Sequence, residues 1–349
     1  MGLSVTSPGF LTVLALLAAA TWVGWRLARR RRHRVGAVLL ATALAMSTAG
    51  VADAANTYFG YLPRVRDVVH AAAGEDAWPA YSAAPAGSRS PGRIVRIAVP
   101  DRGSGFGPSG ALVYLPRQYF TEPHRRFAVV YLVHGSPGVP DDWFRGGDAD
   151  GATGRLAARG RPAIAVAPRM SRGWLDDPEC VDGVRERVES HLVRDVLPTV
   201  DATFRTIAGR EHRTLGGMSA GGFCALNLGL RHPDLFGSVI DMSGDVRPTH
   251  SGGLAPLFGR GAAADAAARS NSPALYAARL VPSPPVRIWL DCGTGDQRLL
   301  AGMRSVAGVL AARGFPVEMH VRPGGHTFRV WRPALVESLE WAIAPDGGP

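Results

Sequence analysis

One serine lies among glycines in the middle of the chain, in the stretch LGGMSAGGFC that runs from Leu215 to Cys224. Gly217, Ser219 and Gly221 match the G-x-S-x-G pattern, in which a strand turns abruptly into a helix and presents the serine at the turn. Glycine tolerates close backbone approaches that a Cβ forbids, so the cluster indicates a crowded turn. The sequence predicts that Ser219 is a nucleophile; the alternative is a tight turn around a buried serine.

A serine hydroxyl at neutral pH is a weak nucleophile and needs a base. His326 stands in the glycine-rich segment VRPGGHTFRVW, after the last predicted strand and before the last predicted helix. That is the place of the base in the chain order Ser…Asp…His. His134, in YLVHGSPG, is interpreted as structural. The backbone amides of Ser136 and Ala220 are predicted to form an oxyanion hole.

The third member of such a site is a carboxylate that fixes the tautomer of the imidazole. The segment WLDCGTGDQ offers Asp291 at the end of a predicted strand and Asp296 in the loop that follows. The loop position is better placed to reach His326. Asp296 is therefore the predicted acid and Asp291 the alternative, while Asp245, after DMSG, is a more distant candidate.

The elements that must hold these residues are predicted from short β-branched runs that alternate with helical patterns. The predicted strands are Ile94–Val99, Leu112–Leu115, Phe127–Val133, Ala163–Ala167, Arg213–Gly216, Ser238–Asp241, Val286–Leu290 and Val317–Val321. The predicted helices are Val184–Val200, Ala220–Leu230, Leu300–Arg313 and Pro333–Ile343. Such alternation predicts an α/β fold with a mainly parallel sheet covered by helices on both faces. The first two strands are expected to form an antiparallel hairpin at its edge.

The composition excludes several kinds of chemistry. The chain has 349 residues and a formal net charge of +10, and it contains no lysine. Schiff-base and Ser–Lys mechanisms and a Walker-type phosphate loop are therefore excluded. Much of the excess charge lies in an arginine block near the N-terminus, and no basic helix with interleaved aromatics occurs elsewhere, so no nucleic-acid partner is predicted. No HExxH motif or zinc-type cysteine spacing occurs, and no metal or organic cofactor is expected.

Three cysteines have no paired spacing along the chain. Cys224 lies in an apolar helical pattern and is interpreted as a core residue. A disulfide between Cys180 and Cys292 is possible in an exported protein, but the odd number of cysteines does not determine the compartment.

The N-terminal region contains two uncharged apolar segments, Phe10–Trp25 and Val35–Ala52, on either side of RLARRRRHR. Each is close to the roughly 17–20 residues that cross a hydrocarbon core. Because a short basic loop resists export, residues 1–55 are predicted to form a transmembrane helical hairpin with both ends outside the cytoplasm. The alternative is a signal peptide cleaved after Ala52-Asp53-Ala54.

Both interpretations place the remainder of the chain outside the cytoplasm. Residues 56–92 are rich in Ala, Ser, Pro and Gly and are predicted to be a juxtamembrane linker. Residues 93–345 contain the alternating elements and all the candidate catalytic residues. They are the predicted catalytic domain.

Several motifs together resemble the esterase D and mycolyltransferase family of α/β-hydrolases: YLVHGSPGVPDDW, ESHLVRDVLPTVDATFR, GGMSAGGFCALNLGLRHPDLFGSVIDMSG, and GTGD followed by GGHTFRVW. The resemblance implies an α/β-hydrolase fold with nucleophile Ser219, acid Asp296, base His326 and oxyanion-hole amides from Ser136 and Ala220. Mycolyltransferases usually carry Asp-Gly where this chain has His-Gly at 134–135, and often a glutamate as the acid. These departures favour a general esterase.

The sequence thus predicts an extracytoplasmic, membrane-anchored serine esterase that acts on an ester or acyl-lipid small molecule through an acyl-enzyme. One alternative is a cell-envelope acyltransferase that moves the acyl group to a sugar or glycerol hydroxyl. Another is a non-catalytic binding module. Trp143, Trp174 and Trp331 are candidates for lining the substrate cleft, with buried core positions as the alternative.

Overall fold

The computed structural model describes residues 18–23, 25–26, 33–61, 78–82, 92–173 and 176–343. By their contacts, residues 1–77 and 327–329 form one compact unit, and residues 78–326 and 330–349 form another. In the first unit, residues 18–23 and 25–26 are helical, and helix α1 spans His33–Phe59.

Within the described residues, no helix is both long and apolar enough to cross a membrane. The predicted transmembrane hairpin is therefore not supported. Its second segment lies in α1. Most of its first segment lies outside the described residues.

The second unit is built around one eight-stranded sheet. Its strands are β1 Gly92–Val99, β2 Ser109–Pro116, β3 Ala128–Val133, β4 Ala163–Pro168, β5 Arg213–Met218, β6 Ser238–Met242, β7 Arg287–Gly293 and β8 Val317–Arg322. The spatial order is β1-β2-β4-β3-β5-β6-β7-β8. β2 is antiparallel to both β1 and β4, and every other neighbouring pair is parallel. The predicted mainly parallel sheet with an antiparallel hairpin at one edge is confirmed.

Helices precede β3, lie between the later strands and follow β8. They are α2 Arg117–Thr121, α3 Asp142–Arg145, α4 Ala149–Ala158, α5 Val188–Ser190, α6 Leu197–Thr203, α7 Ala220–Arg231, α8 Ala255–Phe258, α9 Ala262–Ser270, α10 Pro273–Tyr276, α11 Gln297–Ala312 and α12 Phe328–Ala342. A π-helical turn, His191–Val196, joins α5 to α6, and 3₁₀ turns occupy Arg210–His212 and Ala277–Arg279.

The central strands are buried on both faces, and this explains their continuous apolar runs. Val130 and Leu132 of β3 are fully buried, as are Leu215 of β5 and Ile240 of β6. All eight strands and three of the four helices expected from the sequence are present. The helix predicted over Val184–Val200 begins only at Val188 and is divided by the π-helical turn. The last helix begins at Phe328, five residues before Pro333, which lies inside it.

A disulfide joins Cys180 to Cys224, and Cys292 is free and buried. The possible pairing of Cys180 with Cys292 is therefore wrong. Cys224 is buried in α7, as its apolar pattern indicated, but it is also the disulfide partner. The sequence did not reveal this pairing because the two cysteines are 44 residues apart and meet only in the folded chain.

Candidate active site

Ser219 stands alone between the end of β5 at Met218 and the start of α7 at Ala220. Its backbone has φ 57° and ψ −124°, a conformation that a residue with a side chain rarely adopts. Such a conformation costs about 1–3 kcal/mol and persists where the surrounding structure enforces it. Here the Ser219 amide donates to the carbonyl of Met242 on β6, at 2.9 Å, and so fixes the turn to the sheet.

The two glycines of the motif are required by the crowding around this turn. A Cβ on Gly217 would overlap the carbonyl oxygen of Gly221, and a Cβ on Gly221 would overlap the carbonyl oxygen of Val133 at the end of β3. Strand, turn and helix can therefore pack this closely only with hydrogen in place of both side chains.

The structure brings His326 and Asp296 together with Ser219. Nε2 of His326 lies 2.8 Å from Ser219 Oγ, and Nδ1 lies 2.8 Å from Asp296 Oδ2. Because a carboxylate can only accept, Nδ1 carries the proton and Nε2 is left to accept from the serine hydroxyl. The hydrogen-bonded chain runs from Ser219 through His326 to Asp296.

Two loops at the carboxyl ends of β7 and β8 hold this geometry. The amide of Thr294 donates to the carbonyl of Arg322 at 2.7 Å, and the amide of Gly295 donates to the carbonyl of Gly324 at 2.7 Å. A Cβ on Gly293 would meet the Gly324 carbonyl, so the close approach of the loops depends on glycine. The acid loop is thereby attached directly to the loop that carries His326.

Asp291, the alternative acid, lies elsewhere. It is fully buried in β7, and its Oδ2 accepts from Nε of Arg322 at 2.6 Å. Burial raises the pKa of Asp291, while the hydrogen bond from Arg322 lowers it. Arg322 also bonds Glu337 on α12, so Asp291 belongs to an ion-pair network at the end of the sheet. Asp245, the more distant candidate, pairs with Arg298 at 2.6 Å.

The positions predicted for the oxyanion hole flank the serine. Ser136 and Ala220 line the same cleft as Ser219 and His326. Ala220 is the first residue of α7, where an amide has no partner within the helix and the helix dipole favours negative charge. On the other side, a Cβ on Gly135 would lie 3.3 Å from the Ser219 Cβ, so the chain leading to Ser136 passes directly beside the nucleophile.

His134 has the structural position expected of it. The side chain is buried, Nδ1 donates to the carbonyl of Gly135 at 2.8 Å, and Nε2 accepts from the amide of Met170 at 3.3 Å. Burial lowers the pKa of His134 to about 4, so the ring is neutral at physiological pH. Both nitrogens are engaged in holding the loop after β3.

These residues open into a cleft of about 550 Å³. The predicted site residues Ser136, Ser219, Ala220, Asp296 and His326 line it. Further polar residues that the sequence did not single out for this place also line it: Asp177, Glu179, Ser243, Thr249 and Arg298. Ser243 directly follows β6, whereas the other four lie five or more residues beyond the end of a strand, where no motif predicts a common location.

Two of the tryptophans proposed for the cleft, Trp143 and Trp331, do not line it. Trp143 is fully buried in α3, and Trp331 is 3% exposed in α12, so the core alternative describes both. Trp331 instead supports the site from behind: its ring lies edge-on to His326 at 4.9 Å, and its Nε1 donates to Ser243 Oγ at 3.2 Å. Trp174 lies outside the described residues.

The arrangement places a hydroxyl beside a possible base and a carboxyl on the far side of that base, with Ser136 and Ala220 lining the same cleft. Acyl transfer requires such groups. Across the described part of the chain, no group of three or more His, Cys, Asp or Glu side chains is arranged to hold a metal ion.

Comparisons with known proteins agree on one family. A family model described as "Putative esterase" matches residues 107–342. The esterase Rv1288 of Mycobacterium tuberculosis is 31% identical over 250 residues, which are 64% of this chain and 54% of that protein. An uncharacterized protein of Corynebacterium glutamicum is 29% identical over 273 residues, 74% of this chain and 63% of its own length. The matched region thus spans little more than half of these relatives.

Among solved structures, a ferulic acid esterase superposes with a TM-score of 0.62 at 24% sequence identity. The match covers 72% of this chain and 97% of that one. At this identity the similarity shows a shared fold, and it confirms the expected α/β-hydrolase architecture for the second unit.

Proposed function

The chain belongs to the esterase family, and from that membership we propose that it is a serine-dependent carboxylic ester hydrolase. The observation that carries the mechanism is the continuous hydrogen-bonded chain from Ser219 Oγ through His326 to Asp296 Oδ2, with 2.8 Å at each step.

In the proposed first half-reaction, His326 Nε2 takes the proton of Ser219 as Oγ attacks the ester carbonyl. The imidazolium that forms is stabilised by Asp296. Negative charge develops on the carbonyl oxygen, and the amides of Ser136 and Ala220 donate to it. His326 then gives its proton to the departing alcohol, and the acyl group remains on Ser219.

In the second half-reaction, water takes the place of the alcohol. His326 accepts a proton from this water as it attacks the acyl-enzyme, and the same amides stabilise the second oxyanion. Collapse of the intermediate returns the proton to Ser219 and releases the acid. The strained backbone of Ser219 contributes by keeping Oγ exposed to the cleft throughout.

The experiment that tests this proposal is labelling by a fluorophosphonate probe together with hydrolysis of p-nitrophenyl butyrate. Ser219→Ala is expected to abolish labelling and to lower kcat by several orders of magnitude, as is usual when a nucleophile is removed. His326→Ala should give a similar loss. Residual activity of both variants within about tenfold of the parent would contradict the mechanism.

A location outside the cytoplasm is part of the proposal. The Cys180–Cys224 disulfide supports it, because structural disulfides persist in oxidising compartments and are rare in the cytosol. A reporter enzyme fused after Pro349 should be active only on the outer face of the membrane. Activity on the cytoplasmic face would contradict this location without affecting the chemistry. Anchoring by the N-terminal segments stays a prediction from the sequence.

A further inference from the structure

Two carboxyl groups lie in the cleft beside Ser219 and take no part in the chemistry proposed above. Glu179 is 2% exposed, and its Oε1 accepts from Thr249 Oγ1 at 2.9 Å. The other oxygen, Oε2, is buried with no hydrogen-bond partner, and the same holds for Oδ1 of Asp177. Both residues line the cleft that contains Ser219 and His326. A buried polar atom without a partner is costly, and therefore needs an explanation.

The chain holds Glu179 in a fixed place relative to the nucleophile. The next residue, Cys180, forms the disulfide with Cys224, which lies in the helix that begins immediately after Ser219. Glu179 and Cys180 have φ values of 51° and 50°, in the left-handed region that side chains rarely adopt. The segment that carries the two carboxyls is thus covalently attached to the helix that helps to form the proposed oxyanion hole.

The surroundings favour the uncharged form of Glu179. Burial raises its pKa well above the usual range, and the nearby carboxyls of Asp177 and Asp245 raise it further. Hydrogen bonds from Thr249 lower the pKa, but by less. Asp245 is paired with Arg298, and His250 faces Asp177. Glu179 lines a cavity beside the cleft together with Ser136 and Ala220. If Glu179 were ionised there, its negative charge would repel the developing oxyanion. A protonated Glu179 instead presents one O–H donor.

We propose that Glu179 and Asp177 form a specificity site, which binds a hydroxyl group on an uncharged alcohol portion of the ester substrate. The inference rests on the proposed esterase function and adds the class of substrate. One hydroxyl can give a hydrogen-bond partner to both Glu179 Oε2 and Asp177 Oδ1. Its oxygen accepts from the protonated Glu179, and its O–H donates to Asp177 Oδ1. An alkyl group would leave both atoms unsatisfied, and a carboxylate or phosphate would be repelled by the acidic residues around it.

Three butyrate esters with alcohols of similar size test this in the wild-type chain: glycerol 1-monobutyrate, propyl butyrate and 3-(butyryloxy)propionate. The expected order of kcat/KM is glycerol ester, then propyl ester, then the anionic ester. The first step should be about three- to tenfold, the effect of one or two hydrogen bonds. The second should be about as large and should come from repulsion between the anionic ester and the acidic residues of the cleft. Equal values for the glycerol and propyl esters, or a preference for the anionic ester, would overturn the specificity site while leaving the esterase intact.

Glu179→Met and Glu179→Gln separate a specificity role from a structural one. Methionine removes the donor, so the ratio of kcat/KM between the glycerol and propyl esters should fall to about one, mainly through KM. Glutamine keeps a carbonyl for Thr249 and an N–H for the cleft, and should keep the ratio within about threefold of wild type. Glu211→Gln, at an exposed position, is the control.

Two results would contradict this role for Glu179: an equal loss of kcat on all three esters, which indicates a direct part in the chemistry, or an unchanged ratio in Glu179→Met. If Glu179→Met does not fold, Thr249→Val tests the same point, because it removes the donor to Oε1 and should reduce the ratio about twofold or more. An unchanged ratio there would overturn the inference. Failure of the wild type to hydrolyse any of the esters, with no labelling of Ser219, would instead refute the proposed function.

Discussion

The choice of acid can be tested by replacing each candidate aspartate in turn by asparagine. Asp296 Oδ2 lies 2.8 Å from Nδ1 of His326, whereas Asp291 Oδ2 lies 2.6 Å from Nε of Arg322. Because the two carboxyls have different partners, Asp296→Asn and Asp291→Asn form a matched pair of substitutions only five residues apart. The first should affect chemistry, and the second stability.

The size of the first effect follows from the tautomer of His326. An asparagine side chain can turn its NH₂ group toward Nδ1, which must then accept, so that the proton moves to Nε2 and the ring can no longer take the proton of Ser219. It also provides no charge to stabilise the imidazolium. We expect kcat to fall by about a thousandfold or more, which corresponds to about 4 kcal/mol of transition-state stabilisation.

The size of the second effect follows from the burial of Asp291. Its replacement weakens a charged hydrogen bond to Arg322 and leaves a buried amide, but Arg322 keeps its two bonds to Glu337. A loss of about 1–3 kcal/mol in the free energy of unfolding is expected. The kcat of the folded protein should stay within about tenfold of wild type.

The assay is steady-state hydrolysis of p-nitrophenyl butyrate, with active enzyme counted by fluorophosphonate titration, and urea denaturation of each variant. The reasoning is refuted if Asp291→Asn loses three orders of magnitude in kcat while Asp296→Asn does not. It is also refuted if Asp296→Asn loses activity only in proportion to the fraction unfolded.

Three further expectations follow from the geometry of the fold. Gly221→Ala should abolish activity or folding, because its Cβ would overlap the Val133 carbonyl. The control is Gly308→Ala in α11, where nothing lies within 4 Å; it should leave activity and folding unchanged or raise Tm slightly. Activity of Gly221→Ala above a tenth of wild type would contradict this. Replacing Cys180 and Cys224 together by Ala should lower the free energy of unfolding by about 4 kcal/mol, because the disulfide closes a loop of 44 residues. Guanidinium denaturation measures this, and an unchanged midpoint would argue against the disulfide. Burial raises the pKa of Asp142 from 3.8 to about 7 and that of Asp241 to about 8. Up to about pH 8, these two carboxyls therefore hold more protons in the folded protein than in the unfolded chain. The free energy of unfolding should therefore fall as pH rises from about 6.5 to 8. Buried His134 has the opposite effect only below this interval. Asp241→Asn should flatten the dependence, and a rise in the free energy of unfolding over the interval would show the sign to be wrong.

The sequence by itself determined the eight strands, the edge hairpin and the places of Ser219 and His326. Continuous β-branched runs predict buried parallel strands because both faces of such strands are covered. The turn at Ser219 was predictable because the glycines that it requires, at positions 217 and 221, lie within two residues of the serine. The runs of β-branched residues and the glycines beside Ser219 each lie within a short stretch of sequence, so a pattern over a few residues predicts the strands and the turn.

The tertiary structure alone decided features that depend on distant parts of the chain. Asp296 and Asp291 are five residues apart, and the pairing of β7 with β8 and of the loops that follow places His326 beside the first and Arg322 beside the second. The bond of Cys180 to Cys224 and the position of Glu179 in the cleft have the same origin. Since these contacts join residues tens of positions apart, no spacing along the sequence encodes them, and the packing of the folded sheet determines them.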